Sequence, residues 1–432
     1  MTGHLSVRGA VVLGVGAMVG AGIFALLGQA AVSAGSAVWV SFVLAGAVSA
    51  ALGYSMVKFA VRWPSSGGIV MYLRHGYRSQ RVLGVTSWLA YMAAILVVGA
   101  MVAASFGDYA ADAIAEAPQG GWLSKLCAAA LIVAGAVLAA TGPRLLDKTQ
   151  SAIVGLLLVV FAVFVVATLP NVDWSHLAPS TYPDLSDIVA SIALTFFAYL
   201  GFGVITFAAG DLPDPRRQLP IALYTALGLT TALYVAVSLS VFGTLTVDEV
   251  IDAGPLALAI AAQPTLGQAG FAMMTCAALL ATASSVTAVQ YAAVGLTRYL
   301  AESGTFPPLF GPGSRFGRHG GLIVTTGLML VLMLGLSLAA LASVGSAVSL
   351  SVFFMVALAA FRLRGELNAS TALTALAVAA SGTVLVWFIV DLYSTQRRSF
   401  WAMIALVALA LAANELWTRR RRRVPDNEPA TG

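Results

Sequence analysis

Twelve apolar runs of about twenty residues, parted by short polar punctuation, leave this chain few ways to fold. They fall at about 7–31, 37–60, 82–107, 122–142, 149–170, 187–210, 219–246, 266–299, 320–341, 344–362, 370–391 and 399–418. About twenty apolar residues in a helix match the hydrocarbon thickness of a bilayer. In lipid, a helix satisfies every main-chain polar group within its own segment. Charged residues make up 9% of the 432, against about a quarter in soluble domains. The reading is an all-α integral membrane protein of twelve transmembrane helices. It forms one polytopic domain over 1–418 with a basic tail over 419–432, and leaves no room for a sizeable soluble domain. The first run, with Arg8 before it and small residues after it, resembles a secretory signal. It is long and glycine-broken for that purpose and is read as an uncleaved span.

Orientation follows from the basic residues, which collect on the cytoplasmic side of membrane proteins. With the N-terminus inside, 20 of the 23 lysines and arginines fall on inner segments, leaving Lys125, Arg397 and Arg398 outside. The outer segments are acidic instead, with Asp108, Asp112 and Glu116, then Asp173, Asp184 and Asp187, then Asp248, Glu249 and Asp252. Both termini are therefore expected in the cytoplasm, in a multi-pass protein of the cell membrane. The net charge of +5 reports topology and lipid contact, with Arg419–Arg423 as an anchor on anionic lipid. It does not call for a nucleic-acid partner. Lys58 reads as a snorkelling inner residue. Cys127 and Cys276 both fall in apolar runs and read as small buried residues.

Two spans are broken. The first holds Gly14, Gly16, Gly20 and Gly22 within eleven positions, and the sixth runs Thr195-Phe196-Phe197-Ala198-Tyr199-Leu200-Gly201-Phe202-Gly203. Glycines can serve only to let helices approach closely. Two interruptions five spans apart, and so running in opposite directions, point further. They suggest an inverted repeat with a binding site between discontinuous helices near the midplane.

Four stretches carry a family resemblance: Gly16-Ala17-Met18-Val19-Gly20-Ala21-Gly22-Ile23-Phe24; Pro64-Ser65-Ser66-Gly67-Gly68 with Tyr72-Leu73-Arg74; Phe196–Phe202 with Asp211–Pro220; and Arg298–Pro307. In this order they resemble the amino acid–polyamine–organocation (APC) superfamily. The resemblance implies a leucine-transporter-type fold, with a five-plus-five inverted repeat over about 7–170 and 187–362, discontinuous helices 1 and 6, and helices 11 and 12 over about 370–418. Its proton-coupled members carry a lysine in span five. This chain is wholly apolar near Leu157, so exchange or facilitated transport is expected ahead of lysine-based proton symport.

An amino acid brings a carboxylate and an ammonium, both costly to desolvate. Unpaired amides of Gly20, Ala21 and Gly22, at the positive end of the second half-helix, would form an anion site. Carbonyls near Met18 and Val19, and those of Phe197, Ala198 and Leu200, would accept from the ammonium, with the Phe197 ring as a lid. The resemblance implies the same placement. Thr282, Ser284 and Ser285 are a candidate cation site, because sodium-coupled relatives use hydroxyls of that span. The alternative is that these hydroxyls bond their own i−4 carbonyls. Asp211, facing the loop with Arg62 and Arg74, is either half of an inner gate with Arg74 or a solvated helix-end charge.

No charged residue falls near the centre of a span, so a neutral amino acid is the expected substrate, with an amine or organocation as the alternative. An exchanged or co-transported ion or amino acid is the expected partner beside the lipid bilayer. An integral-membrane enzyme is the rival from another class, and a transporter-like amino-acid sensor a third reading. Enzyme chemistry needs a base, nucleophile or metal cluster, and His4, His75, His176 and His319 lie in four separate loops or ends. No metal or cofactor is expected.

Overall fold

Backbone that cannot bond to water must bond to itself, and in this protein it does so as helix. The computed structural model describes residues 6–19, 22–63, 68–141, 146–207, 209, 212–311 and 317–423. The first run is described as α1 (Val7–Val19) and α2 (Gly22–Ala34), with residues 20 and 21 outside the described residues, after which α3 (Val38–Arg62) returns. A short α4 (Gly68–Gly76) precedes α5 (Gln80–Tyr91), which passes through a wider π turn at Met92–Val97 into α6 (Val98–Ala115). Then come α7 (Trp122–Thr141), α8 (Leu146–Thr168), and a split crossing, α9 (Leu185–Phe197) and α10 (Phe202–Phe207). The remainder is α11 (Pro215–Thr244), α12 (Val247–Ala253), α13 (Ala257–Glu302), α14 (Gly320–Gly335), α15 (Leu338–Arg362), α16 (Thr371–Thr395) and α17 (Arg397–Arg423).

Among the described residues, nine helical stretches are long and apolar enough to cross a bilayer, and α1, α9 and α14 are shorter apolar helices. The protein is a multi-pass membrane protein. Three boundaries differ from the hydropathy reading. The run over 320–341 is cut at Leu336-Ser337, because the Ser337 hydroxyl accepts the amide of Ala340 at 3.2 Å and starts α15 there. A side-chain cap of this kind outweighs continuous apolarity. The helix of the eighth run, α13, begins at Ala257, ahead of the expected start at 266, and is bent at Gly267, whose φ of 63° only glycine adopts readily. The helix of the third run continues past 107 to Ala115 and carries Asp108 inside α6.

Polar stitches place the second interruption. Ser41 and Ser191 share a hydrogen bond of 2.5 Å, Thr195 donates to the carbonyl of Ser41 at 3.1 Å, and the Tyr199 hydroxyl donates to that of Phe42 at 2.9 Å. Bonds of this kind hold helices where lipid provides no hydrophobic drive between them. They fix α9 and the turn after it against α3. Midway along α2, Gly28 admits the carbonyl of Gly254 to where a Cβ would sit, at 2.5 Å. Tyr109 donates to Pro255 and Gln119 to Ala253, the latter at 2.8 Å. The segment Gly254–Leu256 is thus wedged against Gly28 of α2 and Tyr109 of α6.

Candidate functional site

The facing ends of α1 and α2 meet the turn between α9 and α10. A Cβ on Gly22 would fall 2.7 Å from the Cβ and 2.8 Å from the Cα of Ala198. A Cβ on Gly201 would strike the carbonyl carbon of Ala17 and come within 2.6 Å of the Met18 nitrogen. Each glycine is the space into which the other crossing's main chain fits. Packing and interruption, posed as alternatives for Gly22 by the sequence, coincide at one place. Gly14 and Gly16 serve packing in the same way, against Ile205 of α10 and Val154 of α8.

Gly22 opens α2, and the amides of a first helical turn lack intrahelical acceptors. Gly20 and Ala21, the other expected anion-site amides, lie outside the described residues. Met18 and Val19 close α1 and are both buried. The carbonyl of Met18 accepts the Tyr234 hydroxyl at 2.7 Å, and the carbonyl of Ala198 lies 3.2 Å from the same oxygen. One phenolic proton therefore serves both breaks, with Met18 the nearer partner. Tyr234 is fully buried on α11, packed against Phe42 and Tyr199 with ring centroids 4.9 and 5.2 Å away.

The second break is less open than the sequence suggests. Ala198, Tyr199 and Leu200 donate to the carbonyls of Thr195, Phe196 and Phe197 at 3.1, 2.9 and 3.2 Å, and Gly203 donates to Leu200 at 3.3 Å. The carbonyls of Phe197 and Leu200 each hold one main-chain bond already. Each keeps a second lone pair for a ligand. The Phe197 ring is 4% exposed and lies 2.7 Å from where a Cβ of Gly345 would be, beside Val97 of the π turn.

The other expected residues lie elsewhere. Thr282 donates to the Ala278 carbonyl at 2.6 Å, its own i−4 acceptor, while Ser284 and Ser285 are half-buried on α13. Asp211 lies outside the described residues; Arg74 is exposed and, among the described residues, forms no ion pair. Near Arg74 the C-terminal end of α3 carries an aromatic stack. Phe59 lies on Tyr72 at 5.2 Å, and Trp63 lies on His75 at 4.1 Å with the rings 6° apart. Burial first, and the charge of Arg74 second, hold the His75 imidazole below its usual pKa, with Glu366 opposing. Leu157 is 2% exposed where the resemblance implies a lysine, and 152–168 carry no ionisable residue.

Sequence reasoning missed Tyr234. Its signal was a lone phenol in mid-span, since a buried tyrosine hydroxyl needs an acceptor. It also treated Asp108 as an outer-end charge, whereas the carboxylate is buried.

The sequence profile described as amino acid permease matches residues 5–412. The chain belongs to the amino acid permease family. This permease is 31% identical over 409 residues to the inner membrane transport protein YbaT of Escherichia coli, covering 95% of each chain. It is 26% identical to the methylthioribose transporter of Bacillus subtilis, covering 92% of this chain and 90% of that one. It also resembles the chloroplastic cationic amino acid transporter 9 of Arabidopsis thaliana, 26% identical over 277 residues, 59% of this chain and 47% of that one. Membership makes the protein a membrane transporter of a small molecule, a class whose members are generally not enzymes.

Proposed function

We propose that this permease moves a neutral amino acid across the cytoplasmic membrane by alternating access, with both termini inside. The observation that carries the reading is the paired interruption, where Gly22 meets Ala198, Gly201 meets Ala17 and Met18, and Tyr234 bridges the Met18 and Ala198 carbonyls. Main-chain amides and carbonyls at such a junction suit the two charged groups of a zwitterion without an ionised side chain. Met18, Val19, Gly20, Ala21, Gly22, Phe197, Ala198 and Leu200 are the assigned contacts. Taken as one crossing each, α1 with α2 and α9 with α10 bring the count to twelve spans. The halves 7–170 and 187–362 then form the inverted repeats, with 370–418 as additional helices.

The apolar α8 favours exchange over proton symport through a lysine, and Thr282, Ser284 and Ser285 remain the place to test for a coupling cation. Likeness to a methylthioribose transporter supports a second, uncharged cargo of similar size. Counterflow in liposomes of the twenty amino acids and methylthioribose, with and without sodium or a pH gradient, tests the reading. Saturable exchange of a neutral amino acid is expected. Flux of the thiosugar alone would replace the substrate, and tight binding without flux would make the protein a sensor.

A further inference from the structure

A cavity of about 370 Å³ opens beside the outer ends of α6, α7 and α14, lined among others by Gln29, Asp108, Gln119, Gly120, Ser124 and Lys125. Asp108 is 5% exposed. Its Oδ1 accepts the Gly120 amide at 2.8 Å and the Ser124 hydroxyl at 2.5 Å. Gly120, at a φ of 65°, makes the turn that brings its amide there. Among the described residues no donor reaches Oδ2, and no lysine, arginine or histidine nitrogen lies within 4.0 Å of the carboxylate.

A carboxylate left unpaired inside a membrane bundle is costly and marks function by default. Two bonds to one oxygen explain how the α6–α7 turn is held. They do not explain a charge, since a neutral amide in the same place would accept both. Asp112 follows Asp108 at i+4 on the same face of α6, and Glu116 caps the helix just beyond it, with a φ of 47°. Like charges at that spacing repel, so the helix carries a ladder of carboxylates at its own expense. A line of one sign against low-dielectric walls concentrates counter-ions. The cavity also lies on the way to the paired interruption. Gln29 follows Gly22 by seven residues, which places it on the same face of α2, about 10 Å further out.

We propose that this outer cavity is a cation-recognition site in which Asp108 receives a monovalent cation: the ammonium group of the incoming substrate, or an inorganic ion that accompanies it. The proposal rests on the transport reading and adds to it a side chain that selects for positive charge before cargo reaches the interruptions. Lys125 at the same cavity sets the opposing sign and limits residence there.

Asp108→Asn keeps an acceptor for Gly120 and Ser124 while removing the charge. In liposomes the KM for the transported amino acid is expected to rise about tenfold, as for a lost hydrogen bond to a charged group, with the loss in KM rather than kcat. Lys125→Gln is expected to lower KM. In detergent, methylammonium or sodium chloride, but not choline chloride, should raise the melting temperature of the wild type and not of Asp108→Asn. A shift with methylammonium alone assigns the ammonium group, and a shift with sodium assigns the inorganic ion. Unchanged KM in both variants together with no salt-specific shift overturns the proposal. If Asp108→Asn does not fold, Lys125→Gln kinetics and the wild-type salt series decide alone. If the wild type carries no flux, the transport reading fails while the melting series still tests the site.

Discussion

The two interruptions look alike in sequence and differ in how they hold together. The second is locally self-sufficient, because 198–204 are stitched by short main-chain bonds one after another, and α9 is tied to α3 by hydroxyls. At the first, the described residues show a tie to a neighbouring helix. The carbonyl of Met18, at the end of α1, is satisfied by a phenol from α11. Around the second, the chain closes its own turn; beside the first, a neighbouring helix bonds the main chain at Met18.

The largest test of that contrast is steric. Gly22→Leu should bring uptake to background in a protein that still inserts, and Gly201→Leu should do the same by displacing Ala17 and Met18 rather than its own turn. Normal counterflow in either would undo the interlock. Gly201→Ala, the milder version, should lower stability by about 1–3 kcal/mol, the usual cost of overpacking, as read by thermal unfolding in detergent.

Next comes Tyr234→Phe. Orphaning a buried acceptor costs about 1–3 kcal/mol in general, but interhelical hydrogen bonds in membranes average about 0.6 kcal/mol. The lower figure should prevail, because in the membrane a released carbonyl readily finds other partners. Stability should drop by about 1 kcal/mol or less. Hydrogen exchange should quicken around 18–24 and stay unchanged over 198–203. Equal quickening in both would erase the distinction.

Ser285→Ala should leave counterflow unaltered unless a cation binds on α13, and sodium-dependent loss in that variant would install one. The smallest effect concerns pH. His75 has a lowered pKa in the folded protein, so the folded state binds its proton less readily than the unfolded chain. Its contribution is present above the ordinary histidine value of about 6.5 and fades as pH falls below it. Trp63 fluorescence should report the loosened stack on acidification, and His75→Gln should abolish that response.

Much of this was legible beforehand. Crossings and breaks follow from apolar length and from glycine, properties local to the chain. Phe197 and Phe202 bound the second break close to where its motif placed it, while the expected break at Gly20 and Ala21 lies outside the described residues. What sequence could not supply were meetings between distant segments. Tyr234 finds Met18 across 216 positions. Asp108 reads as a solvated charge until the Gly120 turn folds back on it. The Ser337 break was hidden because one capping hydroxyl is invisible to an average over an apolar window.

The reciprocal seating of Gly22 and Gly201 has a mechanical outcome. Two rods notched into each other cannot slide independently, so whichever way the cargo faces, the first and sixth crossings must travel as a single lever. Its fulcrum then belongs to the neighbouring helices, and altered turnover is best sought in substitutions along α3 and α11 rather than at the notch.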